Sequence, residues 1–282
     1  MYDDTSQTGS HHTLITVAGL AAPERSVPAV QDGGDARALD EISIRAAAAR
    51  ALEHVFDGAR VGIGSGHAAS IFIALLGERI RHGLRASAVA ASEASAHRAR
   101  AAGIPLVALD EELDVAVDGA DEVAPNLDLV KGAGGALVRE RIVAAASKRQ
   151  VIIVSETKLV RKLGEHAYIP VEVIPLAHRL VARKIEELGL LPVLRMDRAR
   201  RQPLFSENGN LTLNCAPLRP LADGARARKL ERALLAIPGV VDTGLFLGTA
   251  DQVLVGHLDG TVDILRRMDA PSEIRLPARA RR

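Results

Sequence analysis

The sequence contains no tryptophan, a single cysteine and few aromatic residues of any kind, 2% in all. One thiol, Cys215, cannot close an intrachain disulfide, which fits a reducing compartment. So few aromatic rings give no platform on which the bases of a nucleic acid would stack. Charge of one sign is missing too. The formal net charge is +1 at pH 7, which removes the electrostatic basis for holding nucleic acid or an anionic membrane. No apolar run approaches the ~20 residues needed to span a bilayer. The early TLITVAGLAA (13–22) is short and follows no basic region, which argues against a signal peptide. What is present is ordinary for a globular chain: 282 residues, 48% hydrophobic and 25% charged. That length suffices for one large domain or two smaller ones around a real core. The expectation is a soluble, cytoplasmic protein with a small-molecule partner.

Residues 1–38 mix Gly, Ser, Pro, Asp and His without periodicity and predict a disordered leader, with His11 and His12 as solvated passengers. LDEISIRAAAARALEHV (39–55) is alanine-rich and helical by spacing. ARVGI, a glycine turn and an amphipathic run to Ile80 then read as strand, turn and helix. The turn, Gly64-Ser65-Gly66-His67-Ala68-Ala69, loosely fits the dinucleotide fingerprint G-x-G-x-x-[G/A]. That fingerprint needs an acid about twenty positions on at a second strand's end, and the nearest, Glu93, begins a helix instead. A turn gripping a small phosphorylated substrate is favoured over a nicotinamide site or a ligand-free turn, so no cofactor is expected.

Alternation continues with RASAVAAS, IPLVAL, LDVAV and VIIV as strands, and EASAHRARAAG as a helix between the first two. It specifies an α/β fold with a mainly parallel sheet. From about residue 163 the texture changes to strand, helix, strand and a hairpin, PLFSENGNLTLNC, whose Asn208-Gly209 suits a type I′ turn. A helix, ARKLERALLAIPG, ends at Pro238-Gly239. These elements predict a small α+β domain over 168–240. The larger domain takes 39–167 plus about 241–267, and 268–282 is a frayed tail. No cluster has the spacing of a zinc site.

The chemistry concentrates in DGADEVAPNLDLVKGAGGALVRE, Asp118 to Glu140. DGADE follows a buried apolar strand, and ligands of open α/β sheets bind at strand ends. Gly119 is expected to turn with positive φ so that Asp118 and Asp121 both aim into a cleft. Lys131 opens a glycine loop before a helix, whose free N–H groups suit a phosphate or a developing oxyanion. Glu140 lies one turn into that helix. Flanked by Arg139 and Arg141, it reads in isolation as a surface residue in an ion pair; within this constellation it reads as a base facing the cleft. Lys158, after Ser155-Glu156-Thr157, ends a parallel strand on the same edge.

Together DGADEVAPNLDLVKGAGGALVRERI, GIGSG before a helix, SETK and PVEVIP resemble the type A ribose-5-phosphate isomerase family, in the family's order over about residues 40 to 267. The resemblance implies a Rossmann-like domain with a smaller ferredoxin-like domain, a homodimer or homotetramer, and no metal or cofactor. It also implies the isomerisation of D-ribose 5-phosphate and D-ribulose 5-phosphate, a step of the non-oxidative pentose phosphate pathway. By the same resemblance Glu140 is the proton acceptor. Asp118, Gly119, Ala120 and Asp121 form one substrate loop and Lys131, Gly132, Ala133 and Gly134 another. Lys158 contacts substrate, and Ser65, Gly66, His67 and Ala68 form the phosphate turn. The turn departs from the family's hydroxyl-rich G-T-G-S-T-A at His67 and Ala68, and Ile44 stands where a lysine is common, beside Arg45. Two alternatives follow: a non-catalytic sugar-phosphate sensor, or an isomerase of a different sugar phosphate.

Overall fold

A computed structural model describes residues 33–267 apart from 198 and 200, with side chains from Leu39 onward. The expected tail at 268–282 and His11 and His12 of the expected leader lie outside those residues. The first half of the chain runs α1 (Gly33–Ala51), β1 (Ala59–Ile63), α2 (Gly66–Arg81), β2 (Ala86–Ala90), α3 (Glu93–Ala101) and β3 (Val115–Asp118). Then follow β4 (Glu122–Val123), β5 (Leu129–Val130), α4 (Leu137–Ala145) and β6 (Gln150–Ser155). Helix α1 begins at Gly33 rather than Leu39, because Ala36-Arg37-Ala38, good helix formers, extend it into the expected leader.

The second half adds β7 (Ile169–Val173), α5 (His178–Glu187), β8 (Leu190–Leu194), β9 (Met196–Asp197), β10 (Gln202–Pro203) and β11 (Leu211–Pro217). It closes with α6 (Gly224–Leu235), β12 (Val240–Thr243), β13 (Leu245–Phe246), β14 (Gln252–Gly256) and β15 (Val262–Arg266). Six strands form one sheet in the order β15-β14-β6-β3-β1-β2. Its pairs are parallel except β14 with β15. Both faces are covered, which is why VIIV is apolar without a break. Val151 and Ile153 pack with α1 and α2, while Ile152 and Val154 pack with Leu137 and Phe246 on the other face.

Chain order reverses between β1 and β3, with β2 beyond one and β6 beyond the other. A crevice opens at the carboxyl ends of strands at such a reversal. The Gly64–Gly66 turn leaves β1 there, and the Asp118–Asp121 loop leaves β3.

The remaining strands form an antiparallel sheet, β12-β7-β11-β8, a three-stranded sheet, β13-β5-β4, and a β9–β10 ribbon. Val181 and Ile185 of α5 and Ala227 and Leu234 of α6 bury against Val171, Val173 and Leu213 of the four-stranded sheet. No described helix is long and apolar enough to cross a membrane.

Two local expectations fail. IPLVAL (104–109) is not a strand; it meets the edge strand β2 through a single bridge, Ala88 to Leu106. Pro105 has no N–H to donate, and Val107 and Leu109 face solvent, so nothing sustains a ladder there. The hairpin turn is not type I′. Gly209 takes φ +75° but Asn208 does not enter the left-handed region, and Gly209 N–H closes on Ser206 O at 2.9 Å. The Asn208 amide instead donates to Glu172 Oε1 at 3.1 Å. Ser206 and Asn210 donate to the same oxygen, so a buried carboxylate on β7 sets the longer loop.

Candidate active site

Asp118 is the hub of the crevice. Its Oδ1 accepts from the N–H of Ser65 at 3.2 Å and of Gly119 at 2.8 Å, and Oδ2 accepts from Lys131 Nζ at 2.8 Å. Gly64 makes room for it, since a Cβ there would overlap the Asp118 carboxyl. Gly119 does not take the expected positive φ. What it supplies is space, because a Cβ would stand 3.1 Å from Ala68 Cβ. Asp118 therefore does not aim into the cleft as expected; it is spent on joining the β1 turn, its own loop and the lysine.

Lys131 is a buried cation, 3% exposed. Besides Asp118, its Nζ donates to Gly119 O at 2.6 Å and lies 3.2 Å from Glu140 Oε2. Burial alone would discharge it. The carboxylates of Asp118 and Glu140 overcome that and hold its pKa above the ordinary lysine value. Its backbone N–H donates to Gly244 O at 2.8 Å, which fastens the loop's first residue to the β12–β13 connection. The loop then turns at Gly132 and Gly135, with φ of +101° and +86°. At Gly132 a Cβ would also stand 2.8 Å from Leu137 Cβ. Ala133 N–H donates to Asp121 Oδ2 at 2.9 Å, joining the two loops.

Glu140 sits in the first turn of α4 and is 5% exposed. The neighbouring arginines do not pair with it. Arg139 holds Glu207 and Asn208 of the hairpin, and Arg141 holds Asp242 and the carbonyls of Thr243 and Leu245. Arg141 also stacks 4.1 Å from the centroid of the Phe246 ring, which lies 5.4 Å from Lys131 Nζ. The helix is tethered on its outer faces, and Glu140 is left pointing inward. Its Oε2, although near the lysine, has no hydrogen-bond partner among the described residues. Burial, then the nearby Asp118 carboxylate, push its pKa up to about 7 against the pull of Lys131. A carboxylate so placed can take up and release a proton near neutral pH.

These groups meet in one cavity of about 170 Å³. Ser65, Gly66, His67 and Ala68 line one part of it, and Gly119, Ala120 and Asp121 another. Lys131, Gly132, Ala133, Gly134, Glu140 and Lys158 complete the predicted set; only Asp118 lies behind the wall. Ser65 Oγ is buried at the start of α2 without a partner among the described residues, where free N–H groups favour an anion. Lys158 ends a 3-10 turn, Glu156–Lys158, directly after β6. Ile44 lines the cavity as well, joined by Asp40 one helical turn earlier. Asp40 accepts from the Ser155 hydroxyl, which lies 2.9 Å from Thr157 Oγ1. Sequence reasoning missed Asp40, Ser155 and Phe246. The i, i+4 spacing of Asp40 and Ile44 on α1 was the available signal for the first. Among the described residues no group of three or more His, Cys, Asp or Glu side chains is arranged to hold a metal ion.

Residues 87–260 match the family model described as ribose 5-phosphate isomerase A (phosphoriboisomerase A). Ribose-5-phosphate isomerase A of Gloeobacter violaceus is 44% identical over 234 residues, covering 82% of this chain and 99% of that protein. The Thermomicrobium roseum protein of the same name is 46% identical over 230 residues, covering 80% and 94%. Among solved structures, ribose 5-phosphate isomerase A from Methanocaldococcus jannaschii superimposes with a TM-score of 0.74 at 39% identity, covering 80% of this chain and 98% of that one. A D-ribose-5-phosphate isomerase in complex with phospho-erythronic acid superimposes with a TM-score of 0.77 at 35% identity, covering 81% and 99%.

Proposed function

The chain belongs to the ribose 5-phosphate isomerase A family; it is a ribose-5-phosphate isomerase, and we propose that it works through a cis-enediolate with Glu140 as the base. In the aldose-to-ketose direction Glu140 takes the proton from C2. The C2–H electron pair becomes the C1–C2 double bond, and negative charge moves onto O1. A proton passes from O2 to O1, and Glu140 returns its proton to C1. Lys131 and the Gly134 N–H of the glycine loop stabilise the charge on the two oxygens; preorganised donors of this kind contribute about 3–4 kcal/mol each. Asp121 orients the sugar hydroxyls and assists ring opening, while Asp118 holds Lys131 in place. Ser65, Gly66, His67 and Ala68 at the start of α2, with Lys158, receive the phosphate.

One observation carries this reading: a buried carboxylate that lines the cavity with its oxygen 3.2 Å from a buried ammonium. The relative bound to phospho-erythronic acid supports a small phosphorylated ligand. On the same family premise the enzyme is a cytoplasmic homodimer or homotetramer. Its Rossmann-like domain comprises 39–167 plus about 241–267, and its ferredoxin-like domain comprises 168–240. Light scattering on the purified protein would reveal a monomer if the assembly is wrong. The test of the chemistry is Glu140→Gln, which keeps binding and lowers kcat by about 10²–10⁴-fold. Turnover of ribose 5-phosphate at the parent rate would put the base elsewhere. A second reading, preference for a different sugar phosphate, draws on Ile44, His67 and Ala68 at the cavity wall. Comparing kcat/KM across pentose and tetrose phosphates decides between them, and saturable binding without turnover would make the protein a sensor.

A further inference from the structure

Arg195 follows β8 in the antiparallel sheet, yet its side chain ends on the glycine loop. Its Nη1 donates to Gly132 O and to Ala133 O, both at 3.2 Å. Nε and Nη2 hold Asn214 Oδ1 of β11 at 3.1 and 2.6 Å. The guanidinium is half-buried and does not line the cavity that holds Glu140. It lines an adjoining cavity of about 330 Å³ that also takes in Asp121, Ala133 and Lys158, with its fork fixed by one partner and its other arm on two successive carbonyls.

The described residues include no cis peptide, and in a trans peptide the N–H points opposite to the C=O. Pinning Gly132 O and Ala133 O therefore turns the N–H groups of Ala133 and Gly134 away from Arg195. Ala133 N–H goes to Asp121. Gly134 lines the cavity beside Lys131 and Glu140. A cation on a carbonyl oxygen also polarises that peptide and strengthens its N–H as a donor. Only a planar fork can bridge Asn214 and both carbonyls at once; an ammonium cannot.

We propose that Arg195 is a positioning residue for the isomerisation, aiming and polarising the Gly134 N–H that receives enediolate charge. The proposal rests on the reading of that loop given above, so Glu140→Gln is assayed beside it. Parent turnover in Glu140→Gln would sink that reading, whatever Arg195 does.

For Arg195→Met the expected result is a kcat about 10- to 100-fold lower with KM for ribose 5-phosphate nearly unchanged. The acid limb of the pH–rate profile stays in place, because the charged groups acting on Glu140 are Asp118, Lys131 and Asp121. Arg195→Lys recovers part of the loss. Asn214→Ala, which frees the fork but keeps the charge, gives a smaller loss in the same direction and covers the case in which Arg195→Met fails to fold. The Gly134 amide proton, followed by NMR as phospho-erythronic acid is added, moves downfield less in the variant than in the parent. Unchanged kcat overturns the proposal. So does a fall in kcat accompanied by a displaced acid limb and a lower Tm, which marks collapse of the loop and a structural role alone.

Discussion

Exchanging Glu140 for glutamine removes a titrating charge while keeping the shape of the side chain, and it moves activity and stability in opposite directions. The Glu140 carboxyl is raised from 4.5 to about 7 by burial and by Asp118. Between those pH values the unfolded chain ionises at 140 while the folded chain keeps its proton. The folded state then binds more protons, so parental stability falls as pH rises through this window and levels off above it. At about 1.4 kcal/mol per pKa unit the window is worth on the order of 3 kcal/mol. The group is 5% exposed, so solvent screening takes little from this. Glu140→Gln has no such titration. Urea unfolding at pH 5, 6, 7 and 8 should show the variant gaining on the parent up to about pH 7, even as its kcat collapses. A stability difference that stays flat with pH would refute the reasoning, because the carboxylate would then have an ordinary pKa and no buried site.

Three further outcomes follow from the same geometry. Lys131→Met leaves the Asp118 and Glu140 carboxylates together without a counter-charge. It should cost about 3–5 kcal/mol of stability and move the acid limb of kcat/KM upward; a downward move would mean Lys131 does not lower the Glu140 pKa. Gly64→Ala drives a methyl into the Asp118 carboxyl. It should destabilise by about 1–3 kcal/mol and lower kcat while the far-UV spectrum stays native; parental activity would show that Asp118 need not stay where it is. His67→Ala should raise KM for ribose 5-phosphate more than it lowers kcat, and an unchanged KM would make the imidazole a bystander.

What the sequence displayed was local. VIIV announces a strand buried on both faces, and K-G-A-G-G before ALVRE announces a loop opening a helix, because spacing alone encodes them. Glu140 was harder, since Arg139 and Arg141 look like its natural partners. Each arginine instead finds an acid far along the chain, at Glu207 and Asp242. Gly119 supplies space rather than the expected positive φ, because the approach of Ala68 depends on how α2 packs beside β3. IPLVAL has a strand's composition but lacks a partner on its outer side. The Asn208 turn looked decisive until Glu172, on another strand, bid for the same amide. Arg195 carries no local mark at all; its contact with Gly132 and Ala133 exists only because β8 ends beside that loop.

Hydrogen exchange at C2 of the sugar reports the central step most directly. With ribose 5-phosphate in D₂O, proton NMR should show the parent enzyme introducing deuterium at the carbon that Glu140 deprotonates. Glu140→Gln should bind phospho-erythronic acid as the parent does and introduce deuterium about 10²–10⁴-fold more slowly. Deuterium entering at the parental rate in that variant would contradict the account.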